Sequence, residues 1–222
     1  HTATPSPTPT LVAPVTITSQ VNASSDDAEE AVSSGGVSLT SSDLELGADA
    51  TTSQIVGMRF NTVAIPPGAT ILSAYVEFEV DETGADVTSV TIQGQAADNA
   101  PTFTTATGNL SARPKTTAQV AWNNIPVWDT LNAKHQTPDL APIIQEIVNR
   151  SNWVSGNSLV ILISGSGRRT AEAYDGEIPA APKLVVVYAS GALPTPTATA
   201  TPTNSPTPTR TSTAKITPTH TA

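Results

Sequence analysis

Asn157–Ser190 reads NSLVILISGSGRRTAEAYDGEIPAAPKLVVVYAS, and its two apolar runs decide the fold. Leu159–Ile163 and Leu184–Tyr188 are rich in Val, Ile and Leu and bounded by Gly, Ser and Pro. Short β-branched runs between turn signals predict buried strands. The polar connection between them carries Arg168, Arg169, Glu172, Asp175 and Glu177, a dense run of charge, and is a first candidate for a site. After Ser190 the chain turns to Thr, Pro, Ala and Ser, so the second run closes a folded body.

That body is flanked by low-complexity sequence. Residues 1–14 (HTATPSPTPTLVAP) and 191–222 are Thr/Pro-rich extensions, and 15–190 is the predicted domain. Alternating Thr/Pro cannot donate a regular hydrogen-bond ladder and favours polyproline II. The composition predicts a stalk or linker that accepts O-linked sugar, with Thr197, Thr199, Thr203 and Thr207 as candidates. Asn22-Ala-Ser24, Asn109-Leu-Ser111 and Asn149-Arg-Ser151 match the N-x-[ST] acceptor pattern. The chain begins at His1, which predicts a processed product.

Net charge is −9. Arg210 and Lys215 lie in the tail, leaving 8 bases against 19 acids in the body. An acidic body argues against nucleic acid, whose phosphates require Lys and Arg, and no apolar run reaches the roughly 20 residues of a membrane span. There is no cysteine, which removes disulfides and thiolate chemistry. Acidity favours a divalent cation. Asp26, Asp27, Glu29 and Glu30 fall within five residues; the bland reading is a solvated loop. The sharper one is an oxygen-ligand set for a structural Ca²⁺, with Asp26 and Asp27 meeting Asp175 where the first and last strands approach.

Further strands are predicted at Val15–Val21, Val37–Leu39, Leu44–Leu46, Gln54–Phe60, Thr70–Val80, Val87–Ala96 and Ala118–Trp122. Asp98–Arg113 reads as a polar loop anchored by Phe103. One helix is predicted within Asp139–Arg150, with Asp139 at the N-cap, Pro142 in the first turn and Ile143, Ile144, Ile147 and Val148 on one apolar stripe. The expected architecture is all-β: a jelly-roll-like β-sandwich with one short α-helix.

Several stretches together resemble a known family: SSDDAEE, GMRF (where the family carries an LLRF-like strand), IPPGATILSAYVEF, AWNNIPVW, AEAYDGE and APKLVVVY. The order is similar to that of DNRLRE-type domains, jelly-roll-like sandwiches related to carbohydrate-binding modules of prokaryotic surface proteins. The resemblance spans about Val15 to Ala189. It implies an extracellular or cell-surface location and a role in adhesion, glycan binding or scaffolding.

Catalysis finds little in the sequence. His135 is the body's one histidine and carries no motif, and GSGR at 165–168 is not a phosphate loop. For sugar, Trp128 is the best stacking platform, whereas Trp122 and Trp153 belong with the core. Two functions follow: a non-catalytic structural or adhesive subunit of a glycosylated assembly such as a filament, or a calcium-stabilised module that binds polysaccharide. Val15–Val21 carries no charge and sits beside a Thr/Pro extension. Val15, Ile17 and Val21 therefore mark either a strand added to another copy of the chain or an ordinary first strand.

Overall fold

The computed structural model describes residues 13–190. Twelve antiparallel strands and one helix form in the order β1 (Val15–Gln20), β2 (Asp27–Ala31), β3 (Val37–Ser38), β4 (Asp43–Asp49), β5 (Thr52–Phe60), β6 (Thr70–Glu82), β7 (Ser89–Gln95), β8 (Lys115–Trp122), β9 (Lys134–Gln136), α1 (Ala141–Val148), β10 (Leu159–Ser166), β11 (Arg168–Glu172) and β12 (Lys183–Ala189). The hydrogen-bonded path runs β1-β12-β6-β11-β4-β5-β10-β7-β8, with β2 on β5, β3 on β2 and β9 on β6.

The sheet curls because its middle is thin. β1–β12 and β5–β10 keep six-residue registers. By contrast two pairs join β4 to β5, and two pairs with a bulge join β11 to β6. The apolar faces of the two wings then close on one core: Val76, Phe78, Leu184 and Val186 share a cluster with Val56, Met58, Ile161 and Ile163.

The two runs that frame Asn157–Ser190 are the inner strands β10 and β12. β10 lies between β5 and β7 and is buried on both faces. Leu159, Ile161 and Ile163 enter the main core, while Val160 and Leu162 enter a smaller one with Ala28, Ala100, Phe103 and Leu110. A doubly buried strand loses the polar alternation that marks a half-exposed one. Phe103 anchors its loop as expected, capped by Arg113 at 4.4 Å from the ring centroid. A Cβ at Gly57 would lie 2.7 Å from the Phe103 ring, so the ring rests on bare backbone.

The helix forms with its stripe of Ile143, Ile144, Ile147 and Val148 fully inside. Its N-cap is Leu140 rather than Asp139. Asp139 still supplies the capping oxygen, accepting from Ala141 N at 3.0 Å, and it also takes the amide of Ala74 on β6 at 2.9 Å. β1 pairs within its own chain, Val15 opposite Tyr188 through Gln20 opposite Lys183, so the ordinary first-strand reading holds here. Val21 is buried and Ile17 packs on the main core. No helix among the described residues is long and apolar enough to cross a membrane.

Removing the Phe103 ring from its enclosed position costs transfer free energy and leaves a void. Phe103→Ala should destabilise the protein by about 3–5 kcal/mol, read from the midpoint of urea unfolding. A loss below about 1 kcal/mol would mean that the 97–113 loop is packed loosely.

Candidate cation site

Carboxylates gather where β6, β11 and β4 run side by side, and on β2, which pairs with β5 and reaches β4 through Glu29. β2 is the unusual element. DAEEA has poor strand propensity, yet it pairs with both β5 and β3. Each acid from Asp26 to Glu30 is buried and each has a polar partner. Asp26 takes the Arg59 guanidinium at 2.8 Å and also accepts from Asn61 and Thr102. Asp27 accepts the Tyr174 amide at 2.8 Å. Glu29 accepts the Glu45 amide at 2.8 Å, and Glu30 accepts the amides of Leu110 and Ser111 at 2.6 and 3.0 Å. The solvated-loop reading of this stretch is therefore corrected.

The expected ligands Asp26, Asp27 and Asp175 lie as follows. The chain does bring Asp27 to Asp175, through the Tyr174 amide and through Ser24, whose hydroxyl donates to Asp175 at 2.8 Å. Asp26 is committed to Arg59 and does not complete a set with them. Among the described residues, the carboxylates that converge are Asp43, Asp81 and Glu82, with one oxygen of each lying within 4.8 Å of the others. They could hold a metal ion.

Their convergence follows from a bulge. Ala171 faces Val80 and Thr170 faces Glu82, which leaves Asp81 as the extra residue on β6. Successive side chains on a regular strand point to opposite faces; a bulge re-aims one of them. Asp81 and Glu82 can then both approach Asp43, which sits on β4 opposite Glu172 of β11. Glu82 has a competing partner in Arg168 at 3.6 Å. The sequence signal was slight: an Asp-Glu pair at the place where the alternation of Thr70–Val80 stops.

Burial raises the proton affinity of four carboxylates in this belt. Burial, followed by the neighbouring Asp81, pushes Glu172 up to about 7. Burial raises Glu29, and burial followed by the neighbouring Glu29 raises Glu45 to about 9. Burial raises Asp27 to about 7, with Asp175 and Asp26 adding to it against the opposing hydrogen bond from Tyr174.

The remaining candidates lie elsewhere. Trp128 is fully buried between Phe78 and His135, stacked on the imidazole at 4.9 Å between centroids, so it offers no face to a sugar. Trp122 and Trp153 are core residues, as their sequence positions suggested. Arg169 is buried and donates to the carbonyls of Ile125 and Pro126 and to the Thr88 hydroxyl, not to Glu172 or Asp175. Asn22 and Asn149 are exposed. Asn109 is half-buried, and its carbonyl oxygen accepts from Thr104 and Arg113, so it works as a loop clamp. Thr197, Thr199, Thr203 and Thr207 lie outside the described residues. No family model matches the chain, and no curated protein matches it.

Asp27 gives the belt a measurable signature. Its pKa is 3.8 when unperturbed and about 7 in the fold. Between these values the folded state keeps a proton that the unfolded chain releases, so stability falls as pH rises and levels off above about 7. Asp27→Asn retains an acceptor for the Tyr174 amide and stays neutral. The variant should match the wild type near pH 4 and exceed it near pH 8 by up to about 4 kcal/mol. Urea unfolding at both pH values reads this directly; parallel pH profiles would refute it.

Proposed function

We propose that this chain is a non-catalytic, extracellular or cell-surface subunit, structural or adhesive, that associates with copies of itself in a glycosylated assembly such as a filament. The observation that carries the reading is the edge of β1. It ends the sheet path, it has no charged side chain over Val15–Gln20, and its outward main-chain groups meet no backbone partner among the described residues. Exposed edges in proteins that stay apart usually carry charge, Pro or a covering segment. The Thr/Pro composition beside β1 and after β12, with its Thr acceptors and the exposed Asn22 and Asn149, supports a glycosylated surface location.

We read the curled sheet as a jelly-roll-like sandwich of the DNRLRE type and Asp43, Asp81 and Glu82 as ligands of a structural Ca²⁺. The chemistry fits a hard cation that takes 6–8 oxygens. Bound there, it would tie β4 to β6 and offset repulsion within the belt. Support for a non-catalytic role is that the buried acids of β2 serve as acceptors for protein groups. The second reading, a calcium-stabilised module that binds polysaccharide, loses its aromatic platform with Trp128 in the core.

Calcium at a hundredfold excess over its Kd should stabilise the fold by about 2.7 kcal/mol, a rise in Tm of roughly 5–10 °C for a chain of this size. Chelator should reverse the rise and Asp81→Asn should abolish it. An unchanged Tm would remove the cation from the reading. Sedimentation velocity on the full-length protein should show mass growing with concentration. A constant monomer mass, with and without Ca²⁺, would overturn self-association.

A further inference from the structure

We infer that β1 pairs antiparallel with β1 of a second copy across a two-fold axis, and not head-to-tail with another edge. The inference rests on the self-association proposed above and specifies its geometry.

A comparison of the free edges supports it. β3 is two residues long. β9 is three residues long and begins with Lys134. β8 begins with the charged Lys115, carries a register shift against β7 and has its Thr117 and Ala118 amides taken by the Glu146 carboxylate of α1, at 2.8 and 2.7 Å. A bulge, a charge and a covering side chain each close an edge to strand addition. Among the described residues β1 has none of the three. A heterologous contact needs a donor edge and a different acceptor edge; among the described residues the only long, uncovered edge available to β1 is another β1.

Charge points to the same partner. Two copies each carrying −9 repel one another. No charged side chain occurs from Thr2 to Ser25, so the β1 edge is where two such bodies can approach with little like-charge cost.

The register of β1 supplies the hydrogen bonds. Val21 N donates to Pro182 O at 3.0 Å, continuing the β1–β12 alignment. Bonding pairs alternate along an antiparallel ladder. Val15, Ile17, Ser19 and Val21 thus face β12, and Thr16, Thr18 and Gln20 turn their N–H and C=O outward. A two-fold axis at Thr18 sets Thr18 against itself and Thr16 against Gln20 of the second copy, so every outward group of the strand gains a partner. The Gln20 side chain does not block this; it is held on its own chain by the carbonyls of Pro179 and Ala181.

In this register the two Thr18 Cα atoms lie about 5.5 Å apart, inside the span of a disulfide, and the chain has no other thiol. Full-length Thr18→Cys under mild oxidation should convert to a disulfide dimer of doubled mass. Mixed with Gln119→Cys on β8, it should still link only to itself. Thr18→Pro removes an outward N–H that β12 does not use, a substitution edge strands tolerate. It should keep the wild-type circular dichroism and lose the dimer. A predominant mixed disulfide would overturn the two-fold geometry and leave self-association standing. Wild-type oligomer without Thr18 cross-linking, or undiminished association of Thr18→Pro, would likewise overturn the β1 pairing. A wild type that sediments only as monomer would overturn both.

Discussion

The fold depends on buried carboxylates that accept hydrogen bonds from other segments. A buried ionised carboxylate is costly unless it is paired or hydrogen-bonded. Within five residues this chain buries four, and each fastens a different region: Asp26 the β5 arginine, Asp27 the turn after β11, Glu29 the β4 backbone, Glu30 the loop anchored by Phe103. Without cysteines, these bonds act as long-range cross-ties, and those of Asp27 and Glu29 join β2 to segments with which it shares no ladder.

Elements whose residues carry their own signal were legible in the sequence. Leu159–Ile163 and Leu184–Tyr188 announced the inner strands, and Ile143, Ile144, Ile147 and Val148 announced the helix face. β2 was not legible as a strand, because nothing in DAEEA favours one; the partners that hold it lie up to 147 residues away. β11 was hidden for the same reason: Arg169 is polar by composition, and three loop groups satisfy it inside the fold. Trp128 misled because Pro126 and a polar loop beside it suggested exposure, while His135 and Phe78 cover it. The cation triad was illegible for a geometric reason. A bulge at Asp81 decides which way two neighbouring acids point, and bulges leave no reliable trace in a single sequence.

Charge is distributed unevenly, and the division matches the division of labour. Burial, with neighbouring acids adding to it, raises the proton affinity of Asp27, Glu45 and Glu172. A proton and a divalent cation are alternative ways to relieve repulsion between carboxylates, so a cation held there would compete with protons. The β1 edge is uncharged. The β12–β6 ladder carries the sheet between the acidic region and the uncharged edge.

The geometry of β1 also limits how such a subunit could build a longer assembly. Val15 lies opposite Tyr188, so both Thr/Pro-rich segments attach at the same end of the sheet. An antiparallel two-fold at Thr18 directs that end of one copy away from that of the other. A dimer of that geometry would be bipolar, with a continuous sheet across its middle and the attachment points of the Thr/Pro-rich segments at its two extremities. An isologous contact closes on itself and cannot propagate. Growth beyond the dimer would therefore need a second contact distinct from β1, and the attachment points at the two extremities are where a symmetric unit would repeat along one line.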